Sequence, residues 1–360
     1  MMPASGNSPI RPRRRRRAGL TPVTRLLLAC AAVAVVPATA AAQAGSPRRL
    51  ESPRVSELAR AGEAVRDSAL ASTRQVLEPG TYWGGPVTAD TGERVTIYVS
   101  NRYAQDPAMT QRWADFLAGL VHGPELEQVV VYLAPETEVQ RVCGDEALAC
   151  YGASREMLVA PGEDPDTDLS AEAVITHEYG HHIAAHRANA PWPAIDYGTK
   201  RWASYERVCP RARSGELAPG AETANAYQRN PGEAFAETYR VLNEREEGVP
   251  EAPWVVVTRS LYPDMTALSL VDQDVVSPWR APTPVRLSGA RTRTFSVATP
   301  LDGTLHVSVR ASGATRIAIL GTGPNAVRGT RAATATICGA RTVRVRITSQ
   351  RAFTATLTRP

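Results

Sequence analysis

The segment His177-Glu178-Tyr179-Gly180-His181 constrains this chain more than any other. Two histidines four residues apart project from the same side of a helix, where both imidazoles can reach one metal ion. Glu178 directly follows the first of them, where a carboxylate can take a proton from a water beside the ion. With 6 His and 36 acidic residues in 360, chance places such a pentamer on the order of 0.01 times per chain. The periodicity predicts a helix over 170–186, closed by the break Pro191-Trp192-Pro193.

Around that helix the chain changes character twice. The patterns predict a strand over 94–100, an amphipathic helix over 109–120, and apolar strands over 128–133 and 157–160. Helices are expected over 200–208 and 231–244, so strands precede site-bearing helices in an α+β layout. Prolines cluster over 277–284, and from 284 to 360 apolar residues alternate with polar ones, as in Leu305, Val307 and Val309 or Val343, Val345 and Ile347. About five short strands there point to a small all-β sandwich. The expected units are thus 80–280 and 284–360, preceded by a loose helical segment over 45–79.

Residues 1–44 have the three parts of a secretory signal. These are an arginine-rich start, an apolar run from Leu26 to Val36, and small residues leading to Ala42-Gln43-Ala44. The run is too short to span a bilayer, so no membrane span is expected. Seven arginines and no acid lie in this segment, and removing them from the formal +5 leaves −2 for residues 45–360. That balance gives no support for a nucleic-acid surface. Lys200 is the single lysine among 41 basic residues, a bias expected of a GC-rich bacterial genome. Export makes Cys143, Cys150, Cys209 and Cys338 candidates for two disulfides, with Cys143–Cys150 and Cys209–Cys338 the favoured pairs.

His177-Glu178-Tyr179-Gly180-His181 has the His-Glu-x-x-His arrangement of zinc peptidases. Metzincins require Gly at 184 and His at 187, where this chain has Ala184 and Arg187. The third ligand must therefore come from elsewhere. Asn230-Pro231-Gly232-Glu233-Ala234-Phe235-Ala236-Glu237 resembles the second site helix of the gluzincins, the thermolysin-like zinc peptidases. The resemblance covers about 177–243 and implies that Glu233 completes a Zn2+ site with His177 and His181, while Glu237 holds His177 from behind. A competing reading makes Asn230 the N-cap, Pro231 the first helical residue, and Glu233 the closing member of a capping box.

The resemblance further implies hydrolysis of protein or peptide substrates, with Glu178 as the base. It also implies a phenol that donates to the oxyanion, for which Tyr227 is preferred over Tyr179 and Tyr239. His182 and His186 form a second pair rotated away from the first, expected on the surface or behind the ligands. The β-rich tail resembles the pre-peptidase C-terminal domains of secreted bacterial peptidases. A secreted binding protein on a peptidase scaffold and a zinc hydrolase of cell-wall amides are the alternatives.

Overall fold

The computed structural model describes residues 81–144, 147–165, 167, 169–222, 224–253 and 256–360. The expected signal over 1–44 and the helical segment over 45–79 lie outside the described residues. The first layer is a five-stranded sheet of β1 (Tyr82–Thr88), β2 (Arg94–Ser100), β3 (Val130–Leu133), β4 (Cys150–Gly152) and β5 (Met157–Ala160). Their order is β1-β2-β3-β5-β4. The β2–β3 and β3–β5 pairs are parallel, and both edge strands run antiparallel to their neighbours.

Two helices flank this sheet, α1 (Pro107–Gly119) and α2 (Glu136–Cys143). Period-two alternation decides which residue faces which helix. Ile97, Val131 and Leu158 join the main core with Trp113 and Leu117 of α1, whereas Tyr98, Tyr132 and Val159 pack with Val139 and Val142 of α2. Disulfide Cys143–Cys150 fastens α2 to the edge strand β4.

Strand β5 leads through a loop into α3 (Ala171–Ala185). Its start is fixed by the Ser170 hydroxyl, which accepts from Ala173 N at 3.1 Å, and by Asp164 Oδ1, which accepts from Ala171 N at 2.9 Å. All but two of its residues, Glu172 and Ala185, are buried, so the helix is sheathed on every side rather than amphipathic. The chain continues through the short hairpin β6 (Ala188–Asn189) and β7 (Trp192–Pro193). The helices α4 (Ala194–Tyr197), α5 (Lys200–Tyr205), α6 (Val208–Arg213) and α7 (Ala224–Tyr227) follow.

The single helix expected over 200–208 is two helices. Arg207 adopts φ 54, ψ 39, and this left-handed residue ends one helix and starts the next. Helix α8 (Pro231–Glu247) then lies against α3, and α9 (Met265–Val276) packs on α8. At the end of α8, Gly248 takes φ +72 and Val249 N bonds to Glu244 O at 3.0 Å, a closure that needs a left-handed residue. Tyr179, Phe235 and Tyr239 are fully buried in this part of the core, and each such side chain contributes roughly 1.5–3 kcal/mol.

The tail holds eight strands rather than about five: β8 (Val285–Gly289), β9 (Thr292–Ala298), β10 (Gly303–Ala311), β11 (Thr315–Leu320), β12 (Val327–Gly329), β13 (Ala332–Ile337), β14 (Thr342–Ser349) and β15 (Phe353–Thr358). Short strands such as β12 and Ala/Thr-rich ones such as β13 carry little hydrophobic signal. The strands form two antiparallel sheets, β13-β10-β15-β8 and β12-β11-β14-β9. Leu305 and Val307 of one sheet meet Ile317, Val345 and Ile347 of the other in a second core. Disulfide Cys209–Cys338 joins α6 to this β-rich region. Among the described residues no helix is long and apolar enough to cross a membrane.

Candidate metal centre

Helices α3 and α8 cross at Gly180. A Cβ on that residue would meet Ala236 Cα at 2.9 Å, so the two backbones touch where a side chain would ordinarily hold them apart. His177 and His181 flank Gly180 on one helix, and Glu233 and Glu237 flank Ala236 on the other. The close approach brings the two pairs together.

His177 Nε2 and His181 Nε2 each lie 3.2 Å from Glu233 Oε2. One ligand atom from each of the three residues falls within a common 4.8 Å, and all three residues are buried. A tetrahedral ion with bonds of about 2.0–2.1 Å would space its ligands about 3.3 Å apart. The separations from Glu233 match that edge, and the donor set of two imidazoles and one carboxylate suits a first-row divalent ion. These residues could hold a metal.

The capping-box alternative for Glu233 fails on hydrogen-bond bookkeeping. Asn230 does cap α8, its Oδ1 accepting from Gly232 N at 2.9 Å. However, the Asn230 N–H that a capping-box glutamate would take is bonded to Tyr227 O at 2.8 Å. Asn230 Nδ2 instead donates to Glu233 Oε1 at 3.4 Å and to Ala221 O at 3.3 Å. One oxygen of Glu233 thus faces the residue that caps its helix, while the other faces the histidines.

Glu237 Oε2 lies 3.6 Å from His177 Nδ1, on the ring edge opposite the nitrogen that faces Glu233. Its own support comes from Arg240, which sequence reasoning missed. Arg240 Nε and Nη2 donate to Glu237 Oε2 and Oε1 at 2.9 and 2.6 Å, and Nη1 pairs with Glu244. Burial pushes the Glu237 carboxyl up, but Arg240 and His177 outweigh it and hold it below the usual range. Burial likewise lowers His177, but the carboxylates of Glu233, Glu237 and Glu178 reverse that and raise it to about 9. Glu233, Glu237, Arg240 and Glu244 form one stripe at spacings of four, three and four along α8. A buried arginine on such a stripe was legible only once Glu237 was seen to need a partner.

Tyr227 ends the short helix α7, and its hydroxyl donates to Glu233 Oε2 at 2.7 Å, the oxygen that both histidines face. Burial raises its phenol well above the ordinary value, and the charges of Glu233 and Glu178 raise it further. The other two tyrosines are placed elsewhere. Tyr239 donates to Val121 O at 2.6 Å, and Tyr179 packs against the rings of His182 and Tyr239. Glu178 is buried, with 8% of its surface exposed.

His182 is fully buried rather than on the surface. Tyr151 Oη lies 2.9 Å from its Nδ1 and Glu125 O lies 2.8 Å from its Nε2. Burial lowers it to about 4, so it is a neutral packing residue. Arg187, standing where a metzincin has its third histidine, clamps Glu125 with two bonds of 3.0 Å and donates to the carbonyls of Asp274 and Val275. No protein-family model matches the chain, and no curated protein matches it in sequence.

Proposed function

We propose that this protein is a secreted bacterial zinc metallopeptidase similar to the gluzincins. The observation that carries the reading is the pair of 3.2 Å separations from Glu233 Oε2 to His177 Nε2 and His181 Nε2, with Glu178 on the same helix. Two imidazoles and one carboxylate leave a tetrahedral ion one open position, the composition of catalytic rather than structural zinc sites. The two disulfides and the signal-like residues 1–44 support export.

When bound, zinc supplies Lewis acidity to a water and to the scissile carbonyl. Glu178 accepts the proton of the attacking water and returns it to the leaving amine. The Tyr227 phenol, kept protonated by its surroundings, donates to the carbonyl oxygen as that oxygen gains charge. Glu237, fixed by Arg240, keeps the His177 ring turned so that Nε2 faces the ion. In this reading residues 80–280 are the peptidase domain and 284–360 an accessory β-sandwich.

The test is metal analysis of the mature protein, followed by digestion of casein, a peptide library and peptidoglycan fragments with and without chelator. The expected result is about one zinc ion per chain and peptide hydrolysis that chelation abolishes. Failure to take up zinc would overturn the reading. Cleavage of peptidoglycan amides alone would change the substrate class, and bound zinc without any hydrolysis would make the protein a binder.

A further inference from the structure

A cavity of about 580 Å3 lies where α5 meets the turn carrying Pro300 and Leu301, and Arg201, Arg207 and Arg341 line it. Two of these guanidinium groups are held rigidly. Arg201 Nη1 donates to Asp274 Oδ1 at 2.6 Å and to Ser277 O at 2.9 Å. Arg341 Nη1 donates to Asp302 Oδ1 at 2.6 Å and Nη2 to Ser204 O at 2.8 Å. Both aspartates are buried, so they fix the planes of the guanidiniums and offset their charge. Nε and Nη2 of Arg201 and Nε of Arg341 keep no bond among the described residues.

Arg207 differs from both. Its side chain is exposed and makes no hydrogen bond or ion pair among the described residues, and its backbone is left-handed at φ 54. The neighbouring acid, Glu206, faces Arg211 at 3.7 Å, and Arg211 is bonded more closely to Glu216 at 2.8 Å. Of the three guanidiniums lining the cavity, that of Arg207 is the one that no described carboxylate pairs. The cavity's remaining lining is Ser204, Tyr205, whose hydroxyl donates to Asp264 Oδ2 at 2.6 Å, and the apolar Leu270, Pro300 and Leu301.

The fixed guanidinium of Arg201, with its Nε and Nη2 edge open, is a fork that matches a planar carboxylate, and the apolar residues beside it suit an attached hydrocarbon group. A free phosphate would use the first feature and not the second. We propose that this cavity binds the terminal carboxylate of a polypeptide whose last residue is apolar. Its basis is separate from the reading of the metal centre.

The test is calorimetric titration of the chelator-treated, disulfide-intact protein, so that no carboxylate can bind an ion at the histidines. The probes are acetyl-Ala-Ala-Leu, the same peptide as its C-terminal amide, and inorganic phosphate. The acid should bind about tenfold or more tighter than the amide or phosphate. Arg207→Gly removes the guanidinium while suiting the left-handed backbone, so it should weaken the acid by about tenfold without disturbing the fold. Equal binding of acid and amide, an unchanged affinity in Arg207→Gly, or phosphate binding as tightly as the acid would each overturn the proposal.

Discussion

Gly180 and Ala236 are in backbone contact: a Cβ built on Gly180 would lie 2.9 Å from the Ala236 Cα and 3.1 Å from its carbonyl oxygen. The fourth residue of the His-Glu-Tyr-Gly-His segment thus has a steric duty of its own. It lets α8 come near enough for Glu233 to reach both imidazoles.

Gly180→Ala should therefore push the two helices apart. Overpacking costs about 1–3 kcal/mol, while alanine gains about 1 kcal/mol of helix propensity over glycine, so the net loss of stability is small. Metal affinity should fall much more than stability, because all three ligand atoms span the widened contact. Thermal unfolding of the metal-free protein and a zinc titration measure the two separately. Unchanged affinity would mean that the close approach is not needed for ligation.

Glu178→Gln should retain zinc and lose activity by about 10²–10⁴-fold, since an amide accepts no proton from water. Zinc content and turnover of a peptide substrate decide it. Activity within a few-fold of the parent would remove Glu178 from the role of base.

The two α8 carboxylates should respond differently to amidation. Glu233→Gln should reduce zinc affinity by orders of magnitude, because it replaces an anionic ligand. Glu237→Gln should cost about 10–100-fold and also lower stability, because it weakens the pairing of the buried Arg240 guanidinium with its two carboxylates. Zinc titration with thermal unfolding of both variants is the check. The reverse order of affinities would exchange their roles.

Asn230→Ser separates capping from ligand support. Serine caps a helix about as well as asparagine, so the stability lost should be that of the buried bonds to Gly220 N and Ala221 O, about 1–3 kcal/mol. The bond from Nδ2 to Glu233 Oε1 is lost, and zinc affinity should fall by up to about tenfold. Equal affinity in the variant would leave Asn230 no part in supporting Glu233.

Zinc affinity should rise with pH until His177 is neutral, at about 9. The ion needs the unprotonated ring, so each unit below that value weakens apparent binding by up to about tenfold. The metal-free protein should show the opposite trend in stability. His177 is raised in the folded state above its ordinary 6.5, so the stability it adds is complete below 6.5 and is lost as pH climbs through 9. Denaturation of the stripped protein at pH 6.5 and 9 checks the sign. A stripped protein that is more stable at pH 9 would contradict it.

The sequence made some of this structure readable and hid the rest for identifiable reasons. Strands β2 and β5 stand out because Val95, Ile97 and Val99 alternate and Met157–Ala160 is buried on both faces. Strand β1 was missed because Gly84, Gly85 and Pro86 interrupt it, which only an edge position tolerates. Helix α2 was missed because its buried residues are few, with Glu138 among them held by Ser100 and Tyr132. At the site, the spacing of His177 and His181 announced their convergence. Arg240 gave no such signal, since an arginine between two glutamates on a helix normally marks a solvated face.

The disulfide from Cys209 to Cys338 encloses the junction between the helical region and the β-rich tail, together with all of α7, α8 and α9. A backbone cut anywhere inside that loop leaves two fragments still covalently attached. Such a nicked chain would migrate intact until it was reduced. For a protein proposed to share its surroundings with active peptidase, the crosslink turns a severing event into a tolerated one.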